Sequence, residues 1–307
     1  MSATADGRSL SFVRFTLQRS IWIGTLNRKA ARLSGPQRLT YGDVVDSPWT
    51  WTRDGKAVVF TSNRGGSLQN MGGIYKQDIG TETAQALTAG PGSILIVRLS
   101  PDGNWLIYAT TQGVSTKVQL MRIRIGGGEP QPILVSESFA GLSCSQIAGG
   151  TCAISESDGK TTTVSAVDPM KGPGAVLFRD KGATSANISP DGKHVAYVIP
   201  DTPCRRVRIT DLHGRIEADV TVAGVENLNS LDWSADSAGF FMSDMRSNES
   251  RLIHVQRSGA SQILWSVPWP TDLYGIPSPD GRYLATPRAT YSSNVWMVQE
   301  PEDRGRR

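Results

Sequence analysis

Ile188-Ser-Pro-Asp-Gly-Lys-His-Val-Ala-Tyr197 decides the fold. Its Asp-Gly pair lies between an apolar approach and an alternating, β-rich run. That is a hairpin signal, because glycine reaches the positive φ of the turn and the aspartate side chain bonds the backbone two residues on. Ser-Pro-Asp-Gly recurs at 100–103 and 278–281, with relatives Thr-Ala-Asp-Gly at 4–7, Thr-Arg-Asp-Gly at 52–55 and Ser-Ala-Asp-Ser at 234–237. The aspartates fall at 6, 54, 102, 191, 236 and 280, so the successive gaps are 48, 48, 89, 45 and 44. The gap of 89 is two periods and predicts a degenerate copy near 145–150, where Ser145-Gln-Ile-Ala-Gly-Gly150 precedes Thr151-Cys-Ala-Ile-Ser155. Seven copies with a period of about 44 residues result, the spacing of a blade repeat.

Within each copy the Asp-Gly turn leads into a second strand, as in Ala57-Val-Val-Phe60, Trp105-Leu-Ile-Tyr108 and Gly239-Phe-Phe-Met242. A polar loop follows, then a third strand such as Val207-Arg-Ile209 or Val295-Trp-Met-Val298, and in most copies a short fourth such as Gln85-Ala-Leu-Thr88. Four short strands per repeat, with no sustained 3.6-residue periodicity, predict an all-β, seven-bladed β-propeller of four-stranded antiparallel sheets. One domain spans 1–299, with repeats near 1–42, 43–90, 91–137, 138–181, 182–225, 226–269 and 270–299, before a charged tail at 300–307. The Asp-Gly aspartates are read as turn-holders, and Trp22, Tyr75, Tyr108, Tyr197 and Trp296 as packing between blades.

Composition agrees with a large core and many turns: 38% of the 307 residues are hydrophobic, and there are 32 glycines and 17 prolines. The formal charge of +4 is spread thinly, with dense basic clusters only at Arg205, Arg206 and Arg208 and in the tail at Arg304, Arg306 and Arg307, so no stripe suited to nucleic acid forms. No apolar run reaches the ~18 residues of a membrane span, and arginines at 8, 14 and 19 occupy the place of a signal peptide's apolar stretch, so membrane insertion or export is not expected of this stretch as written.

The ends bear on closure. Copy one has only Met1 to Ala3 ahead of its turn, and copy seven shows three strands and then the tail from Glu300. The expectation is an incomplete last blade whose closing strand is missing, a weak seam between the end sheets, and unpaired edges open to self-association or to an upstream domain of a longer polypeptide.

The repeat at 188–197 resembles the TolB-like, WD40-like propeller repeat. Leu228-Asn-Ser-Leu-Asp-Trp-Ser-Ala-Asp236, Tyr274-Gly-Ile-Pro-Ser-Pro-Asp-Gly-Arg-Tyr-Leu-Ala285 and Ser293-Asn-Val-Trp-Met297 resemble the C-terminal propeller of acidobacterial membrane-anchored serine/threonine protein kinases and winged-helix regulators. Arg38-Leu-Thr40 through Trp51 and Val59-Phe-Thr-Ser-Asn-Arg64 fit the same pattern, so the resemblance covers nearly the whole chain. It implies a sensor or interaction module on the far side of a membrane from its catalytic or DNA-binding partner domain. The chain departs from the kinases in having no His-Arg-Asp, Asp-Phe-Gly or Val-Ala-Ile-Lys motif.

Catalytic signatures are sparse. Gly126-Gly-Gly128 joins two strands and opens no helix, which makes it a turn and not a phosphate cradle. There is no Gly-X-Ser-X-Gly, and His194, His213 and His254 come from separated positions that do not form a triad or a three-histidine metal site. Cys144 and Cys152 flank the degenerate turn on adjacent strands, where a disulfide is sterically possible, leaving Cys204 over.

Surface therefore carries the function. Loops between strands two and three gather on one propeller face with the crossings between blades, opposite the Asp-Gly turns. That face receives Asp46, Trp49, Arg64, Asn227, Asn229, Arg246, Trp269, Asp272, Tyr274 and Arg288, residue types enriched at recognition hot spots. The expectation is a non-enzymatic module binding a protein, peptide or small ligand, with no cofactor and no metal. The alternative is a propeller lyase or hydrolase working through channel-mouth carboxylates such as Asp46 and Asp272, with a Ca²⁺ ion.

Overall fold

The computed structural model describes residues 2–4, 9–27, 32–64, 72–90, 92–112, 117–183, 185–269 and 271–299. The Asp6 turn and the tail 300–307 lie outside them. The chain starts with β1 (Ser2–Ala3), β2 (Ser9–Asn27) and β3 (Arg32–Arg38). Blade 1 is then β4 (Asp46–Trp51), β5 (Ala57–Ser62), β6 (Gly73–Asp78) and β7 (Gln85–Ala89). Blade 2 is β8 (Ser93–Leu99), β9 (Trp105–Thr111), β10 (Val118–Arg124) and β11 (Gln131–Ser136). Blade 3 is β12 (Phe139–Cys144), β13 (Cys152–Ser157), β14 (Thr162–Asp168) and β15 (Gly172–Asp180). Blade 4 is β16 (Asn187–Ile188), β17 (His194–Ile199), β18 (Arg206–Asp211) and β19 (Ile216–Thr221), and blade 5 is β20 (Leu228–Trp233), β21 (Gly239–Met245), β22 (Glu249–Gln256) and β23 (Ser261–Pro268). The last strands, β24 (Ile276–Pro277) and β25 (Tyr283–Gln299), join β2 and β3 in blade 6.

The ring therefore has six blades, not seven. In the sequence copies one and seven read as separate sheets, but copy one supplies only outer strands and copy seven only inner ones, and together they make one sheet. Antiparallel pairs run without a break from Ser9 opposite Gln299 to Thr25 opposite Tyr283. The expected missing strand and the seam held by side chains alone are overturned by this ladder, which removes the open edges that two half-sheets would present. Past the parallel bridge between Arg19 and Val45, β2 and β25 continue as a two-stranded ribbon, where Val13 and Val295 are 62% and 76% exposed. β1 pairs with β2 at its tip, and Thr4 donates its N–H to the Ser9 carbonyl at 2.9 Å.

Six separate apolar clusters fill the six seams. Because side chains alternate along a strand, neighbours on β5 serve different seams. Val58 and Phe60 join Ile21, Trp51 and Ala285 between blades 6 and 1, whereas Val59 joins Ile94, Leu106 and Tyr108 between blades 1 and 2. The innermost strands touch in a closed cycle from β4 through β8, β12, β16, β20 and β24 back to β4, which defines the central channel.

The turn aspartates act as read. Asp54, Asp236 and Asp280 each accept a bond of 2.6 Å from the hydroxyl two residues earlier and a backbone N–H two residues later. Ser237 stands in the glycine position of blade 5 with φ 59°. The copy without Asp-Gly still turns at 145–150, closed by the Ser145 N–H on the Thr151 carbonyl at 2.9 Å.

Candidate binding site at the channel mouth

Strand order puts the crossings and the loops between second and third strands on one face, and each first strand runs from that face towards the Asp-Gly turns. Asp46 opens β4 and is fully buried, where its Oδ2 accepts a bond of 2.7 Å from Arg64. The Arg64 guanidinium lies 5.6 and 5.7 Å from the centres of the Phe60 and Tyr75 rings, which fixes the arginine on the rim. Beside it, Arg19 on β2 donates to Asp272 at 2.8 Å and to the Ser47 hydroxyl at 2.9 Å, tying blade 6 to blade 1. Tyr274 donates its hydroxyl to the Pro48 carbonyl at 3.4 Å, and burial pushes its pKa up to about 12.

Blade 5, next to blade 6, continues the mouth. The Asp244 carboxylate accepts the backbone N–H groups of Glu226 and Asn227 at 2.8 and 3.1 Å, so it shapes the crossing into the blade. Arg246 binds Asp244, Glu226 and the Gly224 carbonyl, while Asn227 and Asn229 remain exposed. Trp269 is 47% exposed, with its backbone N–H on the Asn248 carbonyl at 3.0 Å. Arg288, exposed on β25 opposite Ser20, has its guanidinium 5.3 Å from the centre of the Trp22 ring, which meets Trp265 on the outermost strand of blade 5. The carboxylates proposed as a catalytic or Ca²⁺ pair, Asp46 and Asp272, each face a guanidinium. Among the described residues no group of three or more His, Cys, Asp or Glu side chains is placed to hold a metal ion.

Beneath the mouth the channel holds two residues that the sequence analysis did not single out. Arg98 on β8 and Asp232 on β20 belong to blades 2 and 5, opposite each other in a ring of six, and their Nη2 and Oδ1 atoms are 4.0 Å apart. Arg98 also donates to the Trp49 and Val97 carbonyls at 3.3 and 3.1 Å. Burial pushes the Asp232 carboxyl up to about 6 against the attraction of Arg98, and burial lowers the Arg98 pKa. The channel cavity that these residues line with Trp49, Trp51 and Trp233 is about 90 Å³, well short of the ~300–1,000 Å³ of ordinary small-molecule sites. A ligand reaching the mouth thus meets an ion pair set across the channel.

Cys144 and Cys152, opposed residues of β12 and β13, form a disulfide with Cα atoms 4.0 Å apart, and Cys144 lines the channel wall. Cys204 is free. No helix among the described residues is long and apolar enough to cross a membrane.

No family model matches the chain. Over 166 residues it is 23% identical to the Tol-Pal system protein TolB of Francisella tularensis subsp. tularensis, covering 53% of this chain and 37% of that protein. The chain thus spans little more than a third of the length of that curated relative. Among solved structures, a putative TolB from Agrobacterium tumefaciens superposes with a TM-score of 0.65 at 15% identity, covering 90% of this chain and 99% of the other. An oligogalacturonate lyase in complex with manganese superposes with a TM-score of 0.54 at 17% identity, covering 89% and 78%. At such identities the superpositions speak for architecture alone, and that architecture is a TolB-like β-propeller.

Proposed function

We propose that the chain is a non-enzymatic recognition module that takes a protein or peptide segment at the channel mouth. The observation that carries this reading is the loop face of blade 5: Arg246 is held by Asp244 and Glu226, exposed Asn227 and Asn229 open the same blade, and exposed Trp269 bonds the Asn248 carbonyl of the Arg246 loop. Pre-ordered guanidinium groups next to an exposed aromatic are characteristic of binding hot spots, because little side-chain freedom is lost on association. A channel spanned by Arg98 and Asp232 favours a ligand that rests on the rim over one that threads the ring. The partial likeness to a Tol-Pal system protein supports a protein partner. The motifs at 228–297, which resemble the propellers of membrane-anchored kinases and regulators, support a sensor role outside the cytoplasm, and so does the disulfide.

Selection from a random peptide library tests the reading. Peptides enriched on the native protein should lose about tenfold or more in affinity on Trp269→Ala or Arg246→Ala and bind Lys193→Ala, on the turn face, unchanged. Peptides indifferent to both mouth substitutions would sink it.

A further inference from the structure

The seam between blades 5 and 6 lacks the stacked ring pair that its two neighbours share. In the two adjacent seams the residue three before one blade's turn aspartate stacks on the residue three after the preceding blade's turn aspartate. Between blades 4 and 5 these are Trp233 and His194, stacked with ring centres 6.3 Å apart. Between blades 6 and 1 they are Trp51 and Tyr283, stacked at 6.2 Å. Between blades 5 and 6 the same two positions hold Pro277 and Gly239. Gly239 cannot be restored to an aromatic residue in place, since a Cβ there would lie 2.5 Å from the Val255 carbonyl oxygen and 3.1 Å from the His254 ring.

A cavity of about 720 Å³ opens at this seam on the turn face, walled by Leu26, Phe241, His254 and Pro277 and rimmed by Asp236 and Arg257. Its size falls within the ~300–1,000 Å³ of small-molecule sites, and it joins an apolar wall to a polar rim. The Phe241 and His254 rings lie 5.2 Å apart and tilted by 53°, so together they form an aromatic corner. Burial lowers the His254 pKa, against an opposing pull from Asp236, so at pH 7 the imidazole is neutral and offers one donor and one acceptor.

We infer that this seam is a binding site for a planar aromatic group of indole size bearing an N–H or O–H, which takes the place of the stacked pair found in the adjacent seams. The ring lies against Phe241, His254 and Pro277, and its polar hydrogen meets the Asp236 carboxylate or the imidazole. The site is on the face opposite the channel mouth, so its fate is independent of the recognition surface described above.

The test is titration of the native chain with indole and, separately, with the tripeptide Gly-Trp-Gly, followed by the ring-proton resonances of His254. Saturable binding that shifts His254 is expected. Binding of indole alone assigns a free aromatic compound, and binding of the tripeptide assigns a side chain from a partner. Pro277→Trp, which restores the residue found at positions 51 and 233, should weaken binding at least about tenfold, the share of affinity an aromatic slot supplies. If that variant does not fold, Phe241→Leu, which keeps the seam apolar but removes one ring of the corner, should weaken it severalfold. Failure of both probes to bind, or binding that leaves the His254 resonances unmoved, overturns the inference.

Discussion

Arg98 and Asp232 reach towards each other from opposed blades, and at 4.0 Å they span the channel. Their side chains are 15% and 23% exposed, so much of their hydration is lost. The attraction between them does not fully compensate the carboxylate, whose pKa is pushed up to about 6.

Stability should therefore respond to pH in a defined window. Free aspartate titrates near ~3.9, so between about pH 4 and pH 6 the folded chain holds a proton that the unfolded chain has released. Stability from this group is greatest below pH 4 and falls as pH rises through 6, by about 2–3 kcal/mol. Urea unfolding at pH 4, 5, 6 and 7 should show this component in the native chain and lose it in Asp232→Asn. Arg98→Met should raise the Asp232 carboxyl further, as read from its side-chain carbon shift. An identical pH profile for native and Asp232→Asn proteins would mean that Asp232 is hydrated and the channel open.

The closing ladder has a strong part and a weak part. Ile21 and Ala285 are fully buried within the seam cluster of blades 6 and 1, whereas the ribbon above Arg19 presents Val13, Phe15, Val295 and Met297 to solvent. A two-stranded ribbon is marginal in water on its own. Amide exchange should be slow at 21–25 and 283–286, on the scale of the other blade cores, and fast at 9–17 and 291–299. Fast exchange at 21–25 would show that the ends do not share a sheet.

Much of this architecture is legible in the sequence, and the exception has a local cause. The Asp-Gly spacing finds every turn from Asp54 to Asp280 because the turn is a short-range device of hydroxyl, carboxylate and backbone within six residues. The blade number is not short-range. It depends on Ser9 to Asn27 pairing with Tyr283 to Gln299 across nearly the whole chain, and nothing local distinguishes two partial sheets from the two halves of one. That miscount also concealed the channel pair. Arg98 in Ile94-Leu-Ile-Val-Arg-Leu99 and Asp232 in Leu228-Asn-Ser-Leu-Asp-Trp233 are charges in otherwise mostly apolar first strands, but three repeats apart they face one another only in a ring of six. Asp46, Asp272 and Arg246 stand out in the sequence as mouth candidates because crossings and loops must gather there, whereas Arg288 lies on β25, which runs on as a strand where other blades turn.

The disulfide should stabilise the third blade. Cys144 and Cys152 are eight residues apart, and closing so short a loop in the unfolded chain contributes about 2–3 kcal/mol in the chain-entropy account. Replacing both with serine should lower stability by about that amount in protein prepared under oxidising conditions and leave dithiothreitol without further effect. Equal unfolding midpoints for native and double-serine proteins, with the native bond shown intact by mass, would remove it as a structural staple.

Trp51 and Trp233 offer an internal comparison between a closure seam and an ordinary one. Each is 2–5% exposed, and each donates its indole N–H to a carbonyl of the preceding blade, Trp51 to Ile276 at 2.9 Å and Trp233 to Asn187 at 2.8 Å. Phenylalanine keeps most of the packing but leaves that carbonyl without its donor, a loss of about 1–3 kcal/mol in a buried site. If blade 6 is a complete sheet, the ring does not sense where the chain begins and ends, and Trp51→Phe should cost as much as Trp233→Phe within ~0.5 kcal/mol. A seam held loosely would already let water reach the Ile276 carbonyl, so Trp51→Phe would cost little while Trp233→Phe kept its full effect. Paired urea melts with a common slope distinguish the two outcomes, and a much smaller shift for Trp51→Phe would mean that the six-bladed ring opens where the ends of the chain meet.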